Sequence, residues 1–118
     1  MSAPLWIGVA LLGGVGALAR WLADGAVSAR VRHGFPLGIV VVNLSGAFAL
    51  GVAVGAGLDG DARRLVATGF LGAYTTFSTW MLDTDRLWLE RRRRAAAANV
   101  VLSLVLGLAA VWLGRQLG

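Results

Sequence analysis

The segment Gly69-Phe70-Leu71-Gly72-Ala73-Tyr74-Thr75-Thr76-Phe77-Ser78-Thr79-Trp80 places four Ser and Thr hydroxyls and two glycines inside an apolar run. Hydroxyls and non-helical backbone are tolerated at membrane depth only where they are buried in protein or line a cavity. Gly69 and Gly72 lower helix propensity, and the hydroxyls of Thr75 and Thr76 can bond to backbone carbonyls. Together they permit a helix break, and a break frees carbonyl oxygens that can coordinate a small cation such as Na⁺. Phe77 and Trp80 follow at i, i+3 and share a face, a spacing that also serves ordinary packing.

Polar residues elsewhere fall in comparable surroundings. Asn43, followed by Ser45 and Gly46, sits inside a 24-residue uncharged run. It serves either a helix–helix hydrogen bond or as a donor facing a pore. Asn99, Ser103 and Gly107, four apart, make one small or polar stripe along a greasy segment. Arg20 closes the first apolar run and either snorkels to the interface or lines an anion vestibule.

Other chemistry is excluded by what the chain lacks. There is no cysteine, and the single His33 has no partner for binding a metal. No nucleophile–base pair appears, so the chain does not read as an enzyme. Gly13-Gly14-Val15-Gly16 has neither the spacing nor the Lys-Ser/Thr of a phosphate loop; its small side chains suit close helix approach.

Long helices must position these groups. Of 118 residues, 58% are hydrophobic and only 14% charged, against about 25% charged in soluble domains. Ala3–Ala19, Phe35–Leu58, Leu65–Leu82 and Ala95–Gly114 carry no charge, and each fits the roughly 17 to 25 residues that cross a bilayer. The reading is an all-α membrane protein, one domain over 1–118. Its four transmembrane helices are expected at about 3–22, 35–58, 65–89 and 95–116, the third broken near its middle at 72–75. Pro36 suits a first helical turn, and Gly51 and Gly55 form a GxxxG pair. Ala17-Leu18-Ala19 resembles a cleavage site, but the cationic segment of a signal peptide is missing and three more spans follow.

All eleven basic residues are arginine and flank the spans, which argues against nucleic acid. With four spans, Arg63, Arg64 and Arg115 fall on one side. Arg20, Arg30, Arg32, Arg86 and Arg91 to Arg94 fall on the other. Three against eight puts loops one and three in the cytoplasm and both termini outside. The run Arg91-Arg92-Arg93-Arg94 is a topology signal compatible with membrane-lipid headgroups.

Three segments together resemble the Fluc/CrcB fluoride channel family. Gly13 to Trp21 is similar to its GGxxGAxxR(Y/W) opening, Phe35 to Phe48 to its second-helix motif, and Gly69 to Trp80 to its G-x-x-G-x-x-T-T-F-S-T-F signature. The resemblance implies a passive fluoride channel in a bacterial inner membrane. It implies an antiparallel dimer with two pores along its interface, either a homodimer or a heterodimer with a related subunit. It further implies a structural, untransported Na⁺ on the carbonyls of Gly72 and Thr75. Phe77 and Trp80 would present ring edges to the ion, Asn43 would support that site, Ser103 would lie on a polar track, and Arg20 would line a vestibule.

Fluoride is small and strongly hydrated, so a pore must replace its water with donors. Asn43, Thr76, Ser78, Thr79 and Ser103 can donate, and the edges of Phe77 and Trp80 are weakly positive. A central Na⁺ would add a fixed positive field. Trp80 stands where the family usually has Phe, adding an indole N–H, and Asp83 stands where Glu is common. The alternatives are a small multidrug-type transporter and a non-conducting subunit of a heteromeric channel. The first needs a membrane-embedded carboxylate, and all six acids lie at span ends or in loops. The Arg asymmetry suggests a fixed orientation and hence a related partner inserted the other way.

Overall fold

The computed structural model describes residues 2–31 and 34–118. The expectation for His33, and the position of Arg32, lie outside these residues.

Helix α1 spans Ala3–Ser28. The Ser2 hydroxyl caps it by accepting from the Leu5 N–H at 3.3 Å, and a proline occupies its first turn, where a missing N–H is no loss. Helix α2, Leu37–Gly55, starts directly after Pro36. Gly57, at φ +77°, then turns the chain away.

The third pass is composite. A short α3 (Gly60–Arg63) leads into a π-helical segment, Arg64–Leu71, and then α4 (Gly72–Tyr74). Thr75 and Thr76 are extended, and α5 resumes at Phe77–Leu89. A tight turn follows in which the Arg91 N–H donates to Trp88 O at 3.1 Å and the Arg92 N–H to Leu87 O at 2.9 Å. This is a Schellman turn with Arg91 in the left-handed position usually held by glycine, φ 61°. Helix α6, Arg93–Leu117, completes the chain.

α1, α2 and α6 are each long and apolar enough to cross a membrane unbroken; the third pass is divided as expected. Helix ends differ from the charge-based spans. α1 runs on through Arg20 to Ser28, because a charge in a helix ends the apolar stretch without ending the hydrogen-bond ladder. Arg20 therefore lies about two turns inside α1 rather than at its end. Gly60–Arg63, which lies outside the expected spans, is helical for the same reason.

Lipid is as apolar as leucine, so packing between membrane helices relies on close backbone approach. Glycines provide it here. A Cβ at Gly51 would strike Val111 O and one at Gly55 would strike Arg115 O; Gly114 and Gly118 face Phe48 O and Val52 O in return. Two GxxxG pairs thus interlock, and the paired numbers rise together, so α2 and α6 run parallel. α1 meets the third pass likewise: a Cβ at Gly16 would strike Phe70 O, and one at Gly13 would lie 3.7 Å from Gly69 O. Outward faces carry exposed Trp6, Leu11, Trp21, Leu104, Leu108 and Trp112, as lipid contact requires.

Candidate functional site

Two extended residues interrupt the third pass, Thr75 at φ −80°, ψ 155° and Thr76 at φ −147°, ψ 118°. The Thr75 N–H and hydroxyl both donate to Leu71 O, each at 3.0 Å, which closes the first half. The Thr76 hydroxyl opens the second half by accepting from the Thr79 N–H at 3.2 Å, the usual work of an N-cap threonine. It also lies 3.2 Å from Thr79 Oγ1 and 3.4 Å from Ser78 Oγ.

Asn43 of α2 pins the break. The Thr76 N–H donates to Asn43 Oδ1 at 2.8 Å, and Asn43 Nδ2 donates to Thr76 O at 3.0 Å. One side-chain amide thus satisfies both backbone groups of Thr76, which is only 7% exposed. Of the two roles open to Asn43 in the sequence, the structure displays the helix–helix bond. The residue also lines two cavities.

The same bonds decide which carbonyls are freed. In a continuous helix the Thr76 N–H would bond to Gly72 O, and the Thr79 N–H to Thr75 O. Those donors go instead to Asn43 Oδ1 and Thr76 Oγ1. Gly72 and Thr75 therefore lose their helical donors, and both line a cavity of about 270 Å³ with Gly46 and Val111. Neutral carbonyl oxygens at an unwound helix are the donor set that fits Na⁺.

The aromatic pair packs edge to face, Phe77 and Trp80 with ring centres 5.7 Å apart at 82°. The Trp80 indole N–H donates to Asn99 O at 3.1 Å. Its extra donor is thereby engaged by α6, and the ring offers a C–H edge as a phenyl would. Asn99, 1% exposed, binds α5 in return, its Nδ2 lying 2.9 Å from Thr84 Oγ1 and 3.5 Å from Trp80 O. A cavity of about 240 Å³ joins Asn43, Trp80, Ser103 and Gly107. The buried Ser103 hydroxyl has no hydrogen-bond partner among the described residues, so it is a donor available to that cavity.

The remaining expected residues fall around this centre. Phe77 is 70% exposed and Ser78 is exposed. Thr79 lines a polar cavity of about 310 Å³ with Asp24, Ser28, Asp83 and Arg86. Arg20 is half-buried and borders none of these three cavities. Two hydrogen-bonding partners, Tyr74 and Thr84, were not singled out from the sequence. Ser45 Oγ and Tyr74 OH lie 2.8 Å apart; Thr84 and Asn99 join α5 to α6. The Asn99–Ser103–Gly107 stripe was the available signal for Asn99, whereas Ser45 and Tyr74 share no spacing that would announce them.

Interlocked glycine helices around a broken third pass define a small multi-pass helical membrane protein of the inner-membrane kind. Residues 7–115 match the family model described as CrcB-like protein, Camphor Resistance (CrcB). The chain belongs to this family. It is 58% identical over 116 residues to fluoride-specific ion channel FluC 2 of Mycolicibacterium paratuberculosis, covering 98% of this chain and 95% of the relative. It is 50% identical over 115 residues to FluC 2 of Mycobacterium tuberculosis H37Rv, covering 98% and 91%. Fluoride-specific ion channel FluC 1 of Leifsonia xyli is 42% identical over 122 residues, covering 100% and 89%.

Proposed function

We propose that this chain is a subunit of a fluoride-specific ion channel that lets fluoride leave the cytoplasm passively. The observation that carries the reading is the pinned break: Asn43 and Thr76 hold a polar, donor-rich kink against the Trp80–Ser103 cavity. Full-length similarity to proteins named fluoride-specific ion channel supports the choice of ion.

In this reading, fluoride exchanges water for the Ser103 hydroxyl and for the ring edges of Phe77 and Trp80. Asn43 works by shaping the backbone, since its amide is engaged with Thr76. A Na⁺ on the carbonyls of Gly72 and Thr75 would supply a fixed positive charge that is not transported. Two carbonyls from one chain are a partial shell, and a second, antiparallel copy or relative completes it. Exposed Phe77 belongs at that dimer interface, and Arg20 lines a vestibule.

A heteromer is favoured over a homodimer by the unequal arginine count, three against eight. Symbiobacterium thermophilum, for comparison, has relatives named both FluC 1 and FluC 2. Expression in a bacterium lacking its own fluoride exporter tests the function. Growth in millimolar fluoride should be restored by this chain alone or with a related subunit; sensitivity in both cases, with the protein in the membrane, would reject it.

A further inference from the structure

We propose that the α5–α6 turn carries a binding site for the phosphodiester headgroup of an anionic membrane lipid. Arg91, Arg92, Arg93 and Arg94 are all exposed and line, with Ala95, a cavity of about 430 Å³. The Schellman turn gathers them. Arg91 holds a left-handed conformation that favours glycine, φ 61°, so the run bends around one cleft before α6 begins at Arg93.

Among the described residues, none of the four has an acidic partner. The ion pairs among the described residues are Asp61–Arg64 and Asp83–Arg86. Glu90 adjoins the run but pairs with none of it, so Glu90 to Arg94 carries a net +3 (four Arg less one Glu). Guanidinium groups match phosphate oxygens in pairs. Arg93 lies over the Trp88 ring, 4.6 Å from its centre, which leaves its N–H edge free to bond outward.

The surroundings select a lipid over a free anion. Trp88, under Arg93, is 50% exposed, so the charged site continues into apolar surface where acyl chains run. Tryptophan and arginine at this depth are headgroup-level residues. A Cβ placed at Gly34 would meet Arg92 Nη1 at 2.8 Å, so the patch also touches the first connection. Both connections lie on the side that the arginine count makes cytoplasmic, where anionic lipids attract basic segments. The site is thus on one leaflet only. It would hold this subunit in a single orientation, and it does not depend on which ion the protein carries.

Native mass spectrometry of the full chain, released from detergent, tests this. Phosphatidylglycerol, cardiolipin and phosphatidylcholine with identical acyl chains are added in turn. Wild type should retain the two anionic lipids at least about tenfold better than phosphatidylcholine. Replacing Arg91 to Arg94 together by Gln should erase the preference. Replacing them by Lys, which keeps charge and loses the fork, should retain part of it and controls for folding. Equal binding of all three lipids by wild type, or a preference that survives in the Gln variant, would overturn the proposal. So would displacement of the lipid by millimolar inorganic phosphate, the sign of a free-anion site.

Discussion

Asn43 and Thr76, 33 residues apart in sequence, are joined by two hydrogen bonds of 2.8 and 3.0 Å, so that one side-chain amide takes the place of a peptide group. This relationship explains how a helix can stop and restart inside a bilayer. The N–H and C=O that the break would leave bare in hydrocarbon are both satisfied, and each bare group would cost several kcal/mol there.

Asn43→Leu removes both bonds while keeping the number and branching of the side-chain heavy atoms. The loss should be about 1–3 kcal/mol for each buried group left unpaired, seen as a lower unfolding temperature in detergent. Fluoride flux should fall to background. Unchanged stability would mean that the break is held by something other than Asn43.

Trp80→Phe should cost about 0.5–1.5 kcal/mol, the worth of the indole bond to Asn99 O. It should leave flux intact, since the C–H edge remains. Trp80→Leu, which removes the edge, should abolish flux. Hydrogen exchange offers a direct check: the Trp80 indole proton should exchange more slowly than that of Trp21, which is 71% exposed. Equal exchange rates would contradict the bond.

The glycine crossing makes two substitutions of the same kind behave oppositely. Gly51→Ala places a methyl against Val111 O and should separate α2 from α6, lowering the melting temperature. Gly107 has nothing within 4 Å of its added Cβ. Gly107→Ala should therefore stabilise by about 0.5–1 kcal/mol, the helix preference of Ala over Gly. A shared direction would mean that the crossing is looser than the structure has it.

If Gly72 and Thr75 hold Na⁺, the wild-type melting temperature should rise with Na⁺ and saturate, and should not respond to N-methylglucamine. Asn43→Leu should lose the response, because the break that presents the Gly72 and Thr75 carbonyls is no longer pinned to α2. A flat wild-type profile would argue against the cation site.

These tests fall on features of unequal legibility. The broken pass could be read from Gly69, Gly72 and the adjacent threonines, because two glycines and a threonine pair in one short stretch lower helix propensity and offer the backbone other hydrogen bonds. Asn43 was visible as a polar residue in an apolar run, but its partner was not. That partner is backbone, and any residue offers an N–H and a C=O. The same holds for the Trp80 indole bond to Asn99 O. Gly51 and Gly55 announced a close approach, whereas Gly114 and Gly118 became the matching pair only once α2 and α6 lay side by side. The π-helical stretch Arg64–Leu71 has no residue signature we can name. Arg20 looked like a span-end charge because the apolar run ends there, while the helix itself continues to Ser28.

The most direct measurement is ion efflux from liposomes containing the purified chain, alone and together with a related subunit, followed with fluoride- and chloride-selective electrodes. Fluoride should leave rapidly, chloride should stay, and Asn43→Leu should silence the flux. Correctly folded protein that passes no fluoride in either arrangement, or passes chloride equally well, would contradict the account.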